Sequence, residues 1–513
     1  MEARLKLYDY SKLKPRLYQE TIAATAIKRN TLVVLPTGLG KTLIAVLVAA
    51  YRLQKYPKSK ILMMAPTRPL CAQHQKTFKK LLKIDDEKII LVTGKIKPEK
   101  RKLLYKDATI VISTPQCIQN DLKRGILKLT NFSLAIFDES HRCVKDYAYT
   151  FVAKKYVEQS LYPLILGLTA SPGGKIERIS EIKRNLKIEA VEIRSETDKD
   201  VAPYVQKTKR EWVYVELPEE FKKIRELLNE ALNERISVLK EKNLLNKDAK
   251  MKDLIKLSNK LAEVYYEKGN RNAGFALSVT AEAIKIDHAI DLLETQGIKP
   301  LFDYFTRLSK DTSRTTKRML NDPRVIKAVA LTKELYEKGF IHPKMKKLLS
   351  IVKDLIKLNR NVRIIVFANY RATINEILKK FKENGIDARK LVGQAKKSID
   401  KGLKQREQIA IINEFNLGLF NVLVCSSIGE EGLSINAVDY VIFYENVPSE
   451  IRRIQRRGRT GRTAPGKVIF LITKGTRDEA YYWASFHREK KMKKILYSMR
   501  EKNRIKTLLD WLR

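Results

Sequence analysis

Residues 31–36, TLVVLP, run into the loop PTGLGKT (36–42) and on into the helix-length segment LIAVLVAAYRLQ. No other feature limits the fold as strongly. A strand, a glycine-bearing loop and a helix in direct succession open a doubly wound α/β sheet. The loop amides and the helix N-terminus form an anion cradle. Gly38 and Gly40 let the backbone approach a phosphate closely. Lys41 suits the β- and γ-phosphates of a nucleotide, and the Thr42 hydroxyl suits Mg²⁺. Pro36, Thr37 and Leu39 complete the loop. The first glycine of the common pattern is replaced by Leu35.

The apolar runs KILMMAP (60–66), KIILVT (88–93), TIVIST (109–114), FSLAIFD (132–138) and LILGLT (164–169) follow, with helix-length segments between them. Each is near-continuously apolar, as a buried parallel strand requires. From about 218 to 339 apolar residues recur at helical spacing, with no strand run. Alternation returns in VRIIVFA (362–368), DARKLVG (387–393), NVLVCSS (421–427), VDYVIFY (438–444) and KVIFLIT (467–473). After 475 the chain reads as one basic helix. Between Arg488 and Lys506 it has nine Lys/Arg against two acids. The expected fold class is α/β: two doubly wound parallel-sheet domains with an all-helical insert between them. The expected bounds are 1–205, 206–341, 342–475 and 476–513.

DESH (138–141) closes the run FSLAIFD, about a hundred residues after the loop. Open α/β sheets bind ligands at strand C-termini, so an acidic pair there differs from a solvated surface pair. Asp138 is the candidate for the metal side, and Glu139 for the base that acts on water. QRRGRTGR (455–462) follows the run VDYVIFY. If its domain faces the phosphate loop across a cleft, Arg459 and Arg462 can act on a γ-phosphate as arginine fingers. Taken alone, such a cluster is a solvated face or a phosphate-backbone patch.

The ordered set RLYQ (16–19), PTGLGKT, APTRPL (65–70), TG (93–94), STPQ (113–116), DESH, LTASP (168–172), VFANYR (366–371), SSIGEEGLSI (426–435) and QRRGRTGR resembles superfamily-two helicases with RecA-like motor domains. Within them it is most similar to the archaeal Hef and vertebrate FANCM branch. The resemblance spans nearly the whole chain. It implies that Gln19 reads adenine, with Arg16 and Tyr18 nearby. Thr67, Arg68, Thr93, Gly94, Thr114 and Gln116 would hold a nucleic-acid strand on the first domain. Asn369, Tyr370 and Arg371 would do so on the second. Thr169 and Ser171 would couple the two sites. Gly432 would approach the nucleotide, and Gln455 would lie near the attacking water and His141. An acid common two residues after that glycine is Ser434 here, which puts a ribose contact in doubt. His141 also reads as an inert histidine at a helix start.

Lys plus Arg number 102 against 58 Asp plus Glu, a formal +44. Such an excess points to a polyanion, nucleic acid first. A heat-adapted surface would raise both signs and leaves the imbalance unexplained. ATP and Mg²⁺ are the expected cofactors. The expected partner is DNA: forked, branched or single-stranded. No apolar stretch is long enough to span a membrane, and a cytoplasmic, nucleoid-associated protein is expected. Cys71, Cys117, Cys143 and Cys425 form no C-x-x-C pair and read as buried small hydrophobes. Three functions remain open: a motor that remodels forked DNA, an RNA-stimulated ATPase of the RIG-I or Dicer kind, and a scaffold with a decayed ATP site. The insert, with 27 Lys/Arg against 21 Asp/Glu over 207–340, is read as a DNA-structure sensor through Arg314, Lys317 and Arg318. The alternative is a packing domain with solvated charge. No stretch after 475 resembles the XPF-type nuclease of Hef-like proteins, so a C-terminal nuclease module is expected to be missing from this chain.

Overall fold

In the computed structural model the alternating runs become two parallel sheets. Residues 5–205, 209–246, 251–394, 402–426, 435, 438–447, 449, 454 and 466–511 are described, the side chains of 268 and 501–511 excepted. The first sheet contains β1 (Thr31–Val34), β2 (Lys60–Met64), β3 (Ile89–Val92), β4 (Ile110–Ser113), β5 (Phe132–Asp138), β6 (Ile165–Thr169) and β7 (Ala190–Ile193). Their order across the sheet is β3-β4-β2-β5-β6-β1-β7, every pairing parallel. All residues of β1, β4, β5 and β6 are buried. Helices 17–26, 41–55 and 68–81 cover one face. Helices 115–123, 148–159 and 176–185 cover the other. Apolar burial on both faces is why these strands read as unbroken apolar runs.

The second sheet contains β8 (Lys209–Val215), β9 (Ile364–Phe367), β10 (Ala388–Leu391), β11 (Val422–Cys425), β12 (Tyr440–Phe443) and β13 (Lys467–Thr473), in the order β10-β11-β9-β12-β13-β8. Residues 209–215, read from sequence with the helical insert, are instead an edge strand of this sheet. They pair in parallel with β13 over its full length, from Lys209 beside Lys467 to Val215 beside Thr473. The strand is half exposed and carries Lys209, Arg210 and Glu211. That is normal for an edge and hides the strand from a search for apolar runs. The helical bundle is therefore entered from the second sheet and leads back to it.

The bundle comprises helices Glu219–Glu241, Met251–Lys268, Arg271–Thr295, Ile298–Ser309, Arg314–Leu320 and Pro323–Glu337 around its own apolar core. Inside it Arg235 binds Glu282 at 3.2 Å and Asp322 at 2.5 Å. The bundle is fixed to the second domain by a polar seam. Arg477 donates to Asp287 Oδ1 at 2.6 Å and Oδ2 at 2.8 Å. Tyr481 donates to Asp291 at 3.0 Å, and His342 Nε2 donates to the Glu294 carbonyl at 3.2 Å. Beside them the fully buried Lys344 pairs with Asp478 at 3.2 Å and donates to the Tyr444 carbonyl at 2.9 Å.

The C-terminal helix, Arg477–Trp511, is not a solvated basic rod over its whole length. Its root is held in the second domain, where Trp212 donates to the Tyr482 hydroxyl at 2.6 Å. Farther along it lies on the first domain. Met492 and Leu496 join that domain's core. Tyr497 donates to Asp198 at 2.5 Å, and Arg500 to the Ile193 carbonyl at 3.4 Å. All four cysteines are buried and free. Among the described residues no helix is long and apolar enough to cross a membrane.

Candidate nucleotide and strand-binding site

The strand order sets out the candidate residues along one edge of the first sheet. Parallel strands place all their C-terminal ends together, which is where open α/β sheets bind ligands. The phosphate loop follows β1. Thr169 ends β6, the next strand, and Asp138 ends β5 beside that. Thr67 and Arg68 follow β2, Thr114 and Gln116 follow β4, and Thr93 and Gly94 follow β3. The phosphate loop thus lies toward one side of the sheet and the six strand-contact candidates toward the other. The acidic pair stands between them.

Gly38 (φ 86°) and Gly40 (φ 79°) take the left-handed backbone that bends the loop into its helix. A Cβ on Gly40 would come within 2.3 Å of Gln19 Nε2. Gln19 is buried, and both ends of its amide are engaged. It accepts from the Arg16 amide at 2.8 Å and donates to the Leu39 carbonyl at 3.1 Å. Tyr18 donates to the same carbonyl at 2.8 Å. Arg16 stacks 4.6 Å over the Tyr204 ring. The RLYQ segment therefore braces the phosphate loop from behind. Lys41 Nζ donates to the Leu35 carbonyl at 2.9 Å, within its own loop.

Asp138 is buried, and its Oδ2 accepts from His74 Nε2 at 2.8 Å. Burial pushes this carboxyl up. The His74 hydrogen bond and the positive charge nearby, Lys41 included, outweigh it and hold the carboxyl below the usual carboxylate range. The other His74 nitrogen, Nδ1, lies 3.4 Å from the Thr42 hydroxyl. Thr42 and Asp138, the two residues expected to serve Mg²⁺, are thus joined through one imidazole. Hard oxygen donors of this kind fit Mg²⁺.

Glu139 follows with φ 49° and ψ 47°, a left-handed backbone that costs a non-glycine residue about 1–3 kcal/mol. Its Oε2 is buried without a hydrogen-bond partner, although His141 Nδ1 stands 3.3 Å away. The same His141 nitrogen lies 3.2 Å from the Thr169 hydroxyl. Thr169 Oγ1 accepts from the Ser171 amide at 3.1 Å, and Ser171 Oγ lies 3.0 Å from Met492 Sδ on the C-terminal helix. His141 is therefore packed into the chain of contacts between the acidic pair and LTASP.

Thr67 stands at the N-cap position of the helix Arg68–Leu81 without capping it, and its buried hydroxyl has no hydrogen-bond partner. Gln116 and Gly94 are exposed. On the second domain Asn369, Tyr370 and Arg371 follow β9. The Asn369 amide donates to Glu445 at 2.7 Å, and Arg371 donates to the Gly393 carbonyl at 2.8 Å. Tyr370 and Arg371 line a cavity of about 640 Å³ against Lys299, Arg307 and Tyr336 of the bundle. The insert cluster divides. Arg314 and Lys317 are exposed, but Arg318 donates to the buried Glu282 at 2.5 Å and to Ser278 at 3.0 Å. Gly432, Ser434, Gln455, Arg459 and Arg462 lie outside the described residues.

Sequence reasoning missed His74. The available signal was a histidine nearly two turns into the helix after β2, the strand beside β5. That position reaches the end of β5 once the strand order is known.

Three family models match in sequence along the chain. "DEAD/DEAH box helicase" covers 16–179, "Putative ATP-dependent RNA helicase, helical bundle" covers 220–339, and "Helicase conserved C-terminal domain" covers 344–464. The chain is 46% identical over 493 residues to "Putative ATP-dependent RNA helicase MJ1505" of Methanocaldococcus jannaschii, covering 95% of this chain and 61% of that protein. It is 33% identical over 501 residues to "ATP-dependent DNA helicase MPH1" of Pyricularia oryzae, covering 94% and 45%. The chain therefore spans less than two thirds of the length of these relatives. The crystal structure of the Pyrococcus furiosus Hef helicase domain superposes with a TM-score of 0.73 at 46% identity. That match covers 93% of this chain and all of the other. With the order of site residues along the first sheet, these matches make the chain a member of the Hef/FANCM branch of DEAD/DEAH-type helicases, which are ATP-hydrolysing enzymes.

Proposed function

We propose that the chain is a DNA-stimulated ATP motor that remodels forked or branched DNA. The observation that carries this reading is the row of strand ends beside the acidic pair. It lets one rigid sheet edge bind a nucleotide and a nucleic-acid strand together. Lys41, Thr42 and the loop amides hold the phosphates and their Mg²⁺, which offsets charge on the transferring phosphoryl group when bound. Glu139 takes a proton from the attacking water, and a buried oxygen that lacks a hydrogen-bond partner and has His141 3.3 Å away suits that role. Arg459, Arg462 and Gln455 complete the site from the second domain. Thr67, Arg68, Thr93, Gly94, Thr114 and Gln116 grip one strand, with Asn369, Tyr370 and Arg371 across the cleft. Thr169, Ser171 and His141 connect grip to hydrolysis.

DNA is favoured by the +44 charge and by the relatives named as DNA helicases, among them MPH1 and the fml1 protein of Schizosaccharomyces pombe. An RNA-stimulated ATPase is the second reading, favoured by the RNA helicase names among the matches. ATP turnover measured with single-strand, duplex, forked and four-way DNA and with duplex RNA separates the two. Forked and four-way DNA should stimulate most. Equal or stronger stimulation by duplex RNA overturns the DNA reading. Turnover unaffected by any nucleic acid overturns the motor.

A further inference from the structure

His74 belongs to none of the motifs that define the site, yet it touches two of them. It is buried, and its ring spans the 2.8 Å contact to Asp138 Oδ2 and the 3.4 Å contact to Thr42 Oγ1. A carboxylate only accepts, so the proton on this imidazole sits on Nε2 and is donated to Asp138. Nδ1 then faces the Thr42 hydroxyl, and in either protonation state of the ring the pair can share one hydrogen bond. The consequence for both oxygens is the same. The contact with the ring fixes the direction of the Thr42 hydroxyl and leaves it a lone pair for a cation. Asp138 meets the histidine through Oδ2, which fixes the direction of its carboxylate. The Thr42 contact is long for a hydrogen bond, as contacts around a catalytic centre often are before substrate binds.

We infer that His74 is a positioning residue that orients both side-chain ligands of the nucleotide's Mg²⁺. This rests on the ATP–Mg²⁺ reading of the site. The ring does not bind the metal itself: Mg²⁺ takes oxygen ligands, and both ring nitrogens face Thr42 and Asp138. Its support is rigid, because it projects from the Arg68–Leu81 helix, which packs on the sheet through Cys71, Phe78 and Leu81. Partners of this kind fix the direction of metal ligands, and losing them commonly costs about ten- to a hundredfold in metal affinity.

The test uses the full chain without DNA and a fluorescent ATP analogue, with affinity measured across a Mg²⁺ titration and in its absence. His74→Leu keeps the packing and removes both hydrogen bonds. His74→Gln keeps a donor at the position of Nε2. In His74→Leu the Mg²⁺ concentration needed for tight nucleotide binding should rise about ten- to a hundredfold, with Mg²⁺-free affinity unchanged. His74→Gln should recover most of that loss. If His74→Leu does not fold, His74→Asn takes its place, since its shorter amide cannot reach both groups, and it must show the same rise. A Mg²⁺ requirement equal to wild type overturns the inference. So do equal losses in the Leu and Gln variants, or a matching fall in Mg²⁺-free affinity. If nucleotide binding by the wild type ignores Mg²⁺ altogether, the failure belongs to the reading of the site.

Discussion

At the end of β5, Glu139 combines a left-handed backbone with a buried carboxylate oxygen that lacks a hydrogen-bond partner. At the seam between the bundle and the second sheet, Asp287 receives two hydrogen bonds from Arg477, and Asp478 is paired with Lys344. There too, buried atoms lack a hydrogen-bond partner: the Tyr444 and Thr473 hydroxyls and Glu445 Oε1. Both regions bury charge, but they do so differently. A paired buried charge fixes one arrangement and is costly to break. A strained residue with an open acceptor weakens the fold locally and is kept where chemistry needs it. What sets Glu139 apart is that an open carboxylate oxygen and a left-handed backbone coincide at one residue on the sheet edge.

That contrast can be broken in several places. Glu139→Gln should lower ATP turnover by about 10²–10⁴ while leaving nucleotide binding and melting temperature near wild type. Turnover close to wild type would show that the open oxygen is incidental. Lys344→Met leaves Asp478 buried without its cation and should cost about 3–5 kcal/mol of stability, read by urea unfolding. If the variant is as stable as wild type, this buried pair does not hold the second domain beside the seam.

His342 gives a pH dependence with a defined sign. It is fully buried, and burial together with the neighbouring Lys344 holds its imidazole well below its ordinary value of 6.5. As pH falls below about 6.5 the unfolded chain takes a proton that the folded seam refuses. Stability should then drop by up to about 1.4 kcal/mol per pH unit. The same slope in His342→Gln would assign it to another group.

Smaller effects sharpen the comparison within the insert. Arg318→Ala removes a half-exposed partner of Glu282 and should cost about 1 kcal/mol or less. Arg314→Ala and Lys317→Ala should stay within about 0.5 kcal/mol in stability. If these two face DNA, the salt slope of fork affinity becomes shallower by about one for each phosphate that is no longer neutralised. Fork and single-strand affinities that fall together would mean that the cluster is no structure sensor.

The motor sheets were legible in the sequence because buried parallel strands announce themselves as apolar runs. β5 and β13 occupy the expected residues, and most others are shorter by one or two residues at their ends. Two edge strands were not legible: β7, four residues interrupted by Glu192, and β8, exposed and with KRE at its start, carry no such run. The phosphate loop and DESH could be read because each lies within a few consecutive residues. His74 could not, since its partners are 32 and 64 positions away. Arg318 misled for the opposite reason: three positives within five residues resemble a patch, and only packing shows that one of them answers Glu282.

The C-terminal helix is rooted by Asp478 and Tyr482 in the second domain and lies along the first through Met492, Leu496 and Tyr497. A continuous helix is stiff, and 35 residues extend about 50 Å. It acts mechanically as a connecting rod between the two halves of the motor. Any change in how the two domains sit must therefore bend this helix or release Met492, Leu496 and Tyr497 from the first domain.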